Sequence, residues 1–264
     1  MLIDSHAHLN FEKFKDDWQK IISDCQAREI WVNNIGSQYL TSKRAVEIAE
    51  QYQRGIFATV GLHPIHSHEE ENFFDYKKYS ALAKASKKVV AIGETGLDFY
   101  HEQKYFDIQQ KTFIEQINLA REFDLPLVIH GRNSQDGKIN CYEEIYKIVK
   151  KEKVANAVIH CFTGNAEDAK KFLDLGFCIG FTGIITFGRK AAMLQEIAAE
   201  VVPLEKMLVE TDSPYLAPEP HRGMRNLPQY VEFVARKIAE LKKISYDEVK
   251  EQTAKNTIKL FKLT

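Results

Sequence analysis

Two histidines near the amino terminus, His6 and His8, stand two residues apart directly after a short apolar run. Alternate side chains of a strand point to the same face, so both imidazoles can approach one point. Imidazole is the commonest metal ligand among the side chains. The pair alone also fits ordinary buried or surface histidines, so other residues must decide between a metal site and packing.

Four more side chains with metal-binding groups follow other short apolar runs. They are Glu94, His130, His160 and Asp212. A polar group of this kind is costly to bury without a partner. Each residue taken singly also fits a buried polar group that is paired with a neighbour. Six of them at the ends of such runs indicate one shared site.

These six side chains supply four imidazoles and two carboxylates but no thiolate. Such a set suits Zn, Mn, Fe or Co, and also Mg where waters complete the shell. Six ligands exceed the need of one catalytic ion, so the set predicts two divalent ions bridged by the two oxygens of Glu94. Such ions activate water as a nucleophile, and Asp212 is the candidate to orient that water and take its proton. We therefore expect Glu94 and Asp212 to be the catalytic carboxylates.

These ligands need a scaffold in which several strand ends meet. Eight short apolar runs alternate with helical patterns such as those over residues 104–123 and 228–242. The runs cover residues 2–4, 30–33, 56–60, 89–93, 125–130, 157–160, 177–181 and 207–210. Short apolar strands are typical of a parallel sheet that is buried on both faces. Eight strand–helix units predict an α/β fold of the (β/α)8 TIM-barrel type, whose active sites form at the carboxyl ends of the strands.

The chain is predicted to be a single hydrolase domain over residues 1–264, because no linker rich in Gly or Ser divides it. Four of the seven prolines lie between positions 214 and 228, which indicates an ordered, non-helical loop after the eighth strand. Beyond the barrel, Ser245 and Glu248 form a capping-box pattern. One or two short helices are therefore expected as a C-terminal extension.

Composition excludes several classes of protein. The chain has 36 Lys plus Arg and 37 Asp plus Glu, and its net charge of −1 excludes a broadly basic nucleic-acid coat but not a local basic rim. Four widely spaced cysteines fit neither a disulfide framework nor a zinc knuckle, and they predict reduced thiols in the cytoplasm. No apolar run approaches the roughly 18 residues of a membrane span. We expect a cytoplasmic monomer without a membrane partner.

Seven short motifs, which occur in a fixed order along essentially the whole chain, indicate a relationship to a known family. They are IDSHAHL (3–9), GLHP (61–64), GETGLDF (93–99), HGR (130–132), HCFTG (160–164), ETDSPYL (210–216) and RGMRNLP (222–228). The sequence resembles the TatD family of metal-dependent deoxyribonucleases, within the amidohydrolase-type barrel superfamily. The resemblance implies two metal sites that share Glu94. The first would use His6, His8, Glu94 and Asp212, and the second Glu94, His130 and His160.

An anionic phosphodiester needs donors and cations near the metals. The resemblance implies that His63 contacts the substrate phosphate. Arg132, Arg222 and Arg225 fall in loops after the fifth and eighth strands, and guanidinium groups match phosphate oxygens. We expect these four side chains to bind substrate. The alternatives are a structural tie of the proline-rich loop for the arginines and a packing role for His63.

The expected function is metal-dependent cleavage of DNA phosphodiester bonds, as an exonuclease that acts on ends or single strands. An alternative on the same site is a D-aminoacyl-tRNA deacylase or another amidohydrolase, because the same water can attack a carbonyl; RNA or tRNA would then be the partner. A non-catalytic nucleic-acid-binding protein is the alternative from a different class. The complete ligand set and the charge of −1 argue against it.

Overall fold

Eight parallel strands follow one another around a barrel in chain order. The computed structural model describes residues 1–69, 73–100 and 103–264. The strands are β1 (Leu2–Ala7), β2 (Ile30–Ile35), β3 (Ile56–Val60), β4 (Val89–Asp98), β5 (Leu127–Arg132), β6 (Ala157–Ile159), β7 (Cys178–Phe181) and β8 (Met207–Val209). A parallel bridge between Ala7 and Ser213 joins the end of β1 to the segment after β8, so the barrel is nearly closed. The predicted TIM barrel is confirmed.

Helices connect the strands and cover the outside of the barrel. They are α1 (Trp18–Ala27), α2 (Tyr39–Ala49), α3 (Tyr76–Ala85), α4 (Phe106–Phe123), α5 (Cys141–Lys151), α6 (Ala166–Asp174), α7 (Ala192–Glu196), α8 (Val231–Lys242) and α9 (Tyr246–Phe261). Their buried faces have apolar residues at helical spacing, as Ile145, Ile148 and Val149 show in α5. Asn140 starts that helix by accepting a hydrogen bond from the Tyr142 N–H. None of the helices in the described residues is long and apolar enough to cross a membrane.

The C-terminal extension is a single helix, α9, whose 16 residues make it longer than the one or two short helices expected from the sequence. Ser245 caps it and accepts a hydrogen bond from the Glu248 N–H at 3.2 Å. Its buried residues Ala254 and Phe261 belong to the same apolar cluster as Ile3 and Leu208, which are second residues of their strands. The helix α9 therefore closes the amino-terminal end of the barrel interior and leaves the carboxyl end for the site.

Strand β4 is longer than predicted, and it includes Glu94 instead of ending before it. The register with β5 shifts between Ile92 and Thr95, and the pairing then continues as far as Asp98. Gly96 makes this pairing possible, because a Cβ atom there would lie 2.1 Å from the His130 carbonyl oxygen. The apolar run stops at Gly93, so hydrophobicity alone could not show that the strand continues through polar residues that point into the barrel.

Candidate metal centre

The six predicted ligands meet at the carboxyl ends of the strands. Five of them line a pocket of about 780 Å³, and these five are His8, Glu94, His130, His160 and Asp212. The sixth, His6, is fully buried and contacts His8 and Glu94 through its Nε2 atom. Strands β1, β4 and β5 and the segments directly after β1, β6 and β8 supply the groups, so the barrel gathers residues that lie far apart in sequence.

The first group surrounds the Nε2 atoms of His6 and His8, which lie 3.2 Å apart. Asp212 Oδ1 is 3.2 Å from His8 Nε2, and Glu94 Oε2 is 3.3 Å from His6 Nε2. The other ring nitrogen of His8, Nδ1, is 2.9 Å from the Ile35 carbonyl oxygen, which can only accept a hydrogen bond. His8 therefore carries its proton on Nδ1 and turns the Nε2 lone pair towards the carboxylates, as in metal-binding histidines.

The second group surrounds the other oxygen of Glu94. Oε1 is 3.0 Å from His130 Nδ1, 3.4 Å from His63 Nε2 and 3.7 Å from His160 Nε2. The two oxygens of Glu94 thus face two different sets of ring nitrogens. This placement suits a carboxylate that bridges two cations, and the donor set of imidazoles and carboxylates fits divalent ions.

Buried histidines keep both carboxylates ionised. Burial alone raises the pKa of Glu94, but the neighbouring histidines His63, His6 and His160 outweigh it and hold that pKa well below its usual value. Burial likewise raises the pKa of Asp212, but the adjacent His8 and the charge of His160 lower it overall. Both carboxylates are therefore available as ionised ligands for a cation.

The histidines divide into two kinds. Burial, together with the neighbouring His160, lowers the pKa of His6 to about 4. Burial also lowers the pKa of His130, but hydrogen bonds to Asp98 and Glu94 outweigh it and raise the pKa to about 9. For His160, the charges of Glu210 and Glu94 outweigh burial and raise the pKa to about 10. A metal that binds to His130 and His160 must therefore displace protons.

Two buried carboxylates at this site were not among the predicted residues. Asp98 Oδ2 is 2.9 Å from His130 Nε2. Glu210 Oε1 accepts a hydrogen bond from the Cys161 N–H at 2.6 Å. The same oxygen lies 2.8 Å from His160 Nδ1, but the two atoms are not aligned for a hydrogen bond. Both stand an even number of residues from a predicted ligand, Asp98 after Glu94 and Glu210 before Asp212. That alternation is the signal in the sequence that could have found them.

The predicted substrate-binding residues fall at different distances from this cluster. His63 belongs to it and is buried beside Glu94. Arg132 lines the pocket, and its guanidinium carbon lies 3.6 Å from the centre of the Tyr100 ring.

Arg222 and Arg225 are not among the described residues that line the pocket. Arg222 stacks on Phe187, with its guanidinium carbon 3.7 Å from the ring centre. Arg225 donates to the Lys13 carbonyl oxygen at 2.7 Å and pairs with Asp17. The contacts of Arg225 are those of a structural tie, and a role of either arginine in substrate binding stays a prediction.

Comparison with known proteins agrees with this site. Over 268 residues, the chain is 38% identical to the uncharacterized metal-dependent hydrolase YabD of Bacillus subtilis, and the match covers 100% of both proteins. It is 36% identical over 265 residues to the uncharacterized metal-dependent hydrolase YcfH of Escherichia coli K12, which covers 98% of this chain and 95% of the relative. The fold, the cluster and these relatives define a metal-dependent hydrolase.

The family follows from a match along almost the whole chain. A family model described as TatD related DNase matches residues 3–262, and the chain belongs to this family. The crystal structure of YjjV, a TatD homolog from Escherichia coli K12, has a TM-score of 0.87 at 28% identity and covers 100% of this chain and 98% of its own. A TatD family hydrolase from Entamoeba histolytica, 21% identical with a TM-score of 0.85, has the same fold and covers 100% of this chain and 98% of its own. The resemblance predicted from the seven motifs is confirmed.

Proposed function

We propose that the protein hydrolyses phosphodiester bonds of DNA and that it acts from strand ends as an exonuclease. One observation carries this proposal. His63 Nδ1 accepts a hydrogen bond from the Ile65 N–H at 3.2 Å, so the ring proton is on Nε2, 3.4 Å from Glu94 Oε1. The buried Nε2–H of His63 thus points to the place where the predicted metal ligands meet. A phosphate oxygen bound there would need such a hydrogen-bond donor. The family description as a DNase supports the same substrate.

The proposal includes two divalent ions, with Mg, Mn or Zn as candidates. His6, His8, Glu94 and Asp212 would hold one ion, and Glu94, His130 and His160 would hold the other. Divalent ions bound there supply charge neutralisation at the phosphate and lower the pKa of a coordinated water. The Nε2 atoms of His6 and His8, which lie 3.2 Å apart, support this assignment because one cation could be coordinated by both.

The protein's own groups then have separate tasks. Asp212 is the more exposed of the two central carboxylates, since 16% of its side chain is accessible to solvent, compared with 5% for Glu94. It can therefore reach an attacking water and accept its proton. His63 donates its Nε2–H to a phosphate oxygen, and Arg132 at the pocket wall contributes a positive charge. Glu94 fixes the relative positions of the two ligand groups.

The test compares an end-labelled oligonucleotide with a D-aminoacyl-tRNA, each incubated with Mg or Mn and with or without chelator. Stepwise shortening from one strand end supports the exonuclease. Cleavage at internal positions would support phosphodiester hydrolysis but would overturn the proposal that the protein is an exonuclease. Release of the D-amino acid without shortening of the oligonucleotide would assign the deacylase instead. Tight DNA binding without turnover at any metal concentration would assign a binding protein.

We also propose that the protein works as a monomer in the cytoplasm, with DNA as its macromolecular partner. All four cysteines are free thiols, and three of them are buried, which supports a reducing compartment. Sedimentation at several protein concentrations tests the monomer, and a constant mass of one chain is the expected result.

A further inference from the structure

The positive charge at the pocket comes from two side chains that are both stacked on tyrosines. Among the described residues that line the pocket, Lys13 and Arg132 are the only lysine and arginine. Lys13 Nζ lies 4.8 Å from the centre of the Tyr215 ring, and the Arg132 guanidinium carbon lies 3.6 Å from the centre of the Tyr100 ring. Contacts of this kind are cation–π interactions, which hold the cation over the ring face.

The two cation–tyrosine pairs lie on opposite sides of the barrel mouth. Lys13 and Tyr215 stand in the loops after β1 and β8, which are neighbours at the closing seam. Tyr100 and Arg132 stand at the ends of β4 and β5, which are halfway around the eight-stranded ring. The metal-ligand cluster lies between the two pairs, because its residues come from strands on both sides.

The Tyr215 ring is held on a rigid backbone and is still 45% exposed. Its N–H donates to the Asp212 carbonyl oxygen at 2.9 Å, and its own carbonyl oxygen accepts from Asn226 Nδ2 at 2.6 Å. Asn226 is fully buried and also donates to the Thr211 carbonyl oxygen. The backbone that carries the ring therefore has a fixed position three residues after the predicted ligand Asp212, which reduces the entropy cost of binding a planar group.

The contacts around Lys13 hold its backbone in place and pair the neighbouring carboxylates with other cations. Arg225 donates to the Lys13 carbonyl oxygen and pairs with Asp17, so it ties the loop after β1 to the loop that carries Tyr215. The adjacent carboxylate of Glu12 is paired with Lys15. In the part of the chain that the structure describes, neither the Lys13 ammonium nor the Arg132 guanidinium has a carboxylate partner. Within these described residues, both charges are available to an anion.

Apolar side chains around the same mouth indicate a partner with apolar faces. Apart from Met1, the exposed large hydrophobic residues in the described ranges lie in loops or first helical turns that follow strands. They are Leu40, Ile65, Phe73, Ile108, Met193, Tyr215 and Met224. Nucleobases combine an apolar face with a nearby phosphate, and cationic grooves with aromatic rings are typical of proteins that bind single strands.

From these contacts, and resting on the proposed function, we infer that Tyr215 and Lys13 form a nucleotide subsite beside the scissile phosphate. The unpaired base stacks on the Tyr215 ring, and Lys13 neutralises the phosphate of that nucleotide. Arg132, held by Tyr100, contacts the strand on the other side of the scissile bond. A base inside a duplex is already stacked on its neighbours, so this subsite selects a nucleotide that has been freed from pairing.

The test uses three single-stranded oligonucleotides: one unmodified, and two that carry a tetrahydrofuran residue without a base on one or the other side of the scissile bond. In the wild type, one of the two modified strands has a raised KM. The Tyr215→Leu variant raises the KM of the unmodified strand by roughly 5- to 100-fold but leaves the KM of that modified strand unchanged. Tyr215→Phe, which keeps the ring, behaves as the wild type.

A matched control is Tyr246→Leu. The Tyr246 ring also stacks on a cation, because the Arg236 guanidinium carbon lies 4.4 Å from its centre, but this pair lies at the end of the barrel opposite the mouth. This control should leave all three KM values unchanged. Equal losses on all three strands in Tyr215→Leu would mean that the ring is structural, and unchanged KM values would mean that no base binds there. Either result overturns the subsite.

Binding separates the subsite from the proposed nuclease activity. A strand with 2-aminopurine at the affected position is titrated with protein in a chelating buffer at low salt, and stacking quenches its fluorescence. Quenching by the wild type and by Tyr215→Phe, but not by Tyr215→Leu, supports the subsite even if no strand is cleaved. Absence of cleavage by the wild type would overturn the nuclease alone, and equal quenching by all three proteins would overturn the subsite alone.

Discussion

At the scale of single residues, the site depends on carboxylates that face more than one histidine. Glu94 contacts His6 through one oxygen and His130 through the other. The sequence allowed us to predict these three residues because each follows an apolar run. Asp98 and Glu210 were missed, although their even spacing from Glu94 and Asp212 was a signal in the sequence. Their contacts with His130 and His160 depend on the fold and could not be predicted. Nor could the sequence show the direction of a long side chain such as Arg225, which turns to Asp17.

Asp98 should affect metal binding through His130. In Asp98→Asn, the amide cannot replace both acceptor oxygens that now face His130 Nε2 and the Tyr100 N–H. We expect the affinity for Mn, measured by calorimetric titration, to fall roughly 10- to 100-fold. The exposed Asp136→Asn serves as the control and should leave the affinity unchanged. An unaltered affinity in Asp98→Asn would show that the carboxylate does not orient a ligand.

At the scale of the elements, the first and last strands are joined by a buried clasp between Asp4 and Thr211. Asp4 Oδ1 accepts from the Thr211 N–H at 2.9 Å, and Asp4 Oδ2 accepts from Thr211 Oγ1 at 2.6 Å. The clasp fixes β1, which carries His6 and is followed directly by His8, relative to the segment that carries Asp212. The existence of these strands was predictable from their apolar runs. The clasp was not, because it joins residues 207 positions apart.

Removing one hydrogen bond of the clasp should destabilise the fold. Thr211→Val keeps the shape of the side chain but leaves a buried oxygen of Asp4 without its donor. We expect the free energy of unfolding in urea to fall by about 1–3 kcal/mol. The control Thr253→Val removes a hydroxyl that is also fully buried and bonds to the Val249 carbonyl oxygen within α9, and it should cost less because that carbonyl also accepts a helical N–H. Equal losses in the two variants would contradict a special role for the clasp.

At the scale of the whole molecule, the barrel has one end for stability and one for chemistry. The helix α9 fills the amino-terminal end, and the ligand cluster occupies the carboxyl end. The strict alternation of strands and helices made this architecture predictable. The net charge of −1 could not show where attraction for phosphate resides, because it sums charges over the whole surface. Of the described residues that line the pocket, Lys13 and Arg132 are the lysine and the arginine.

This small number of cations predicts a weak dependence of DNA binding on salt. Two neutralised phosphates correspond to a slope of about −1.4 for the logarithm of the binding constant against the logarithm of the salt concentration. Fluorescence anisotropy of a single strand in a chelating buffer at pH 8 measures this slope. Lys13→Gln should make it less steep by about 0.7, whereas Lys20→Gln on the outer helix α1 should not change it. A slope steeper than about −4 would require a basic surface beyond the pocket.

We propose that the clustered histidines and carboxylates support cleavage of phosphodiester bonds when divalent ions are bound. The most direct measurement is cleavage of an end-labelled oligonucleotide with Mg or Mn, compared among the wild type, the double variant His6→Ala with His8→Ala, and a control that replaces His68 and His221, which lie outside the ligand set. We predict cleavage by the wild type and the control, its loss in chelator, and background levels in the double variant at every metal concentration. Persistent cleavage by the double variant would contradict the account.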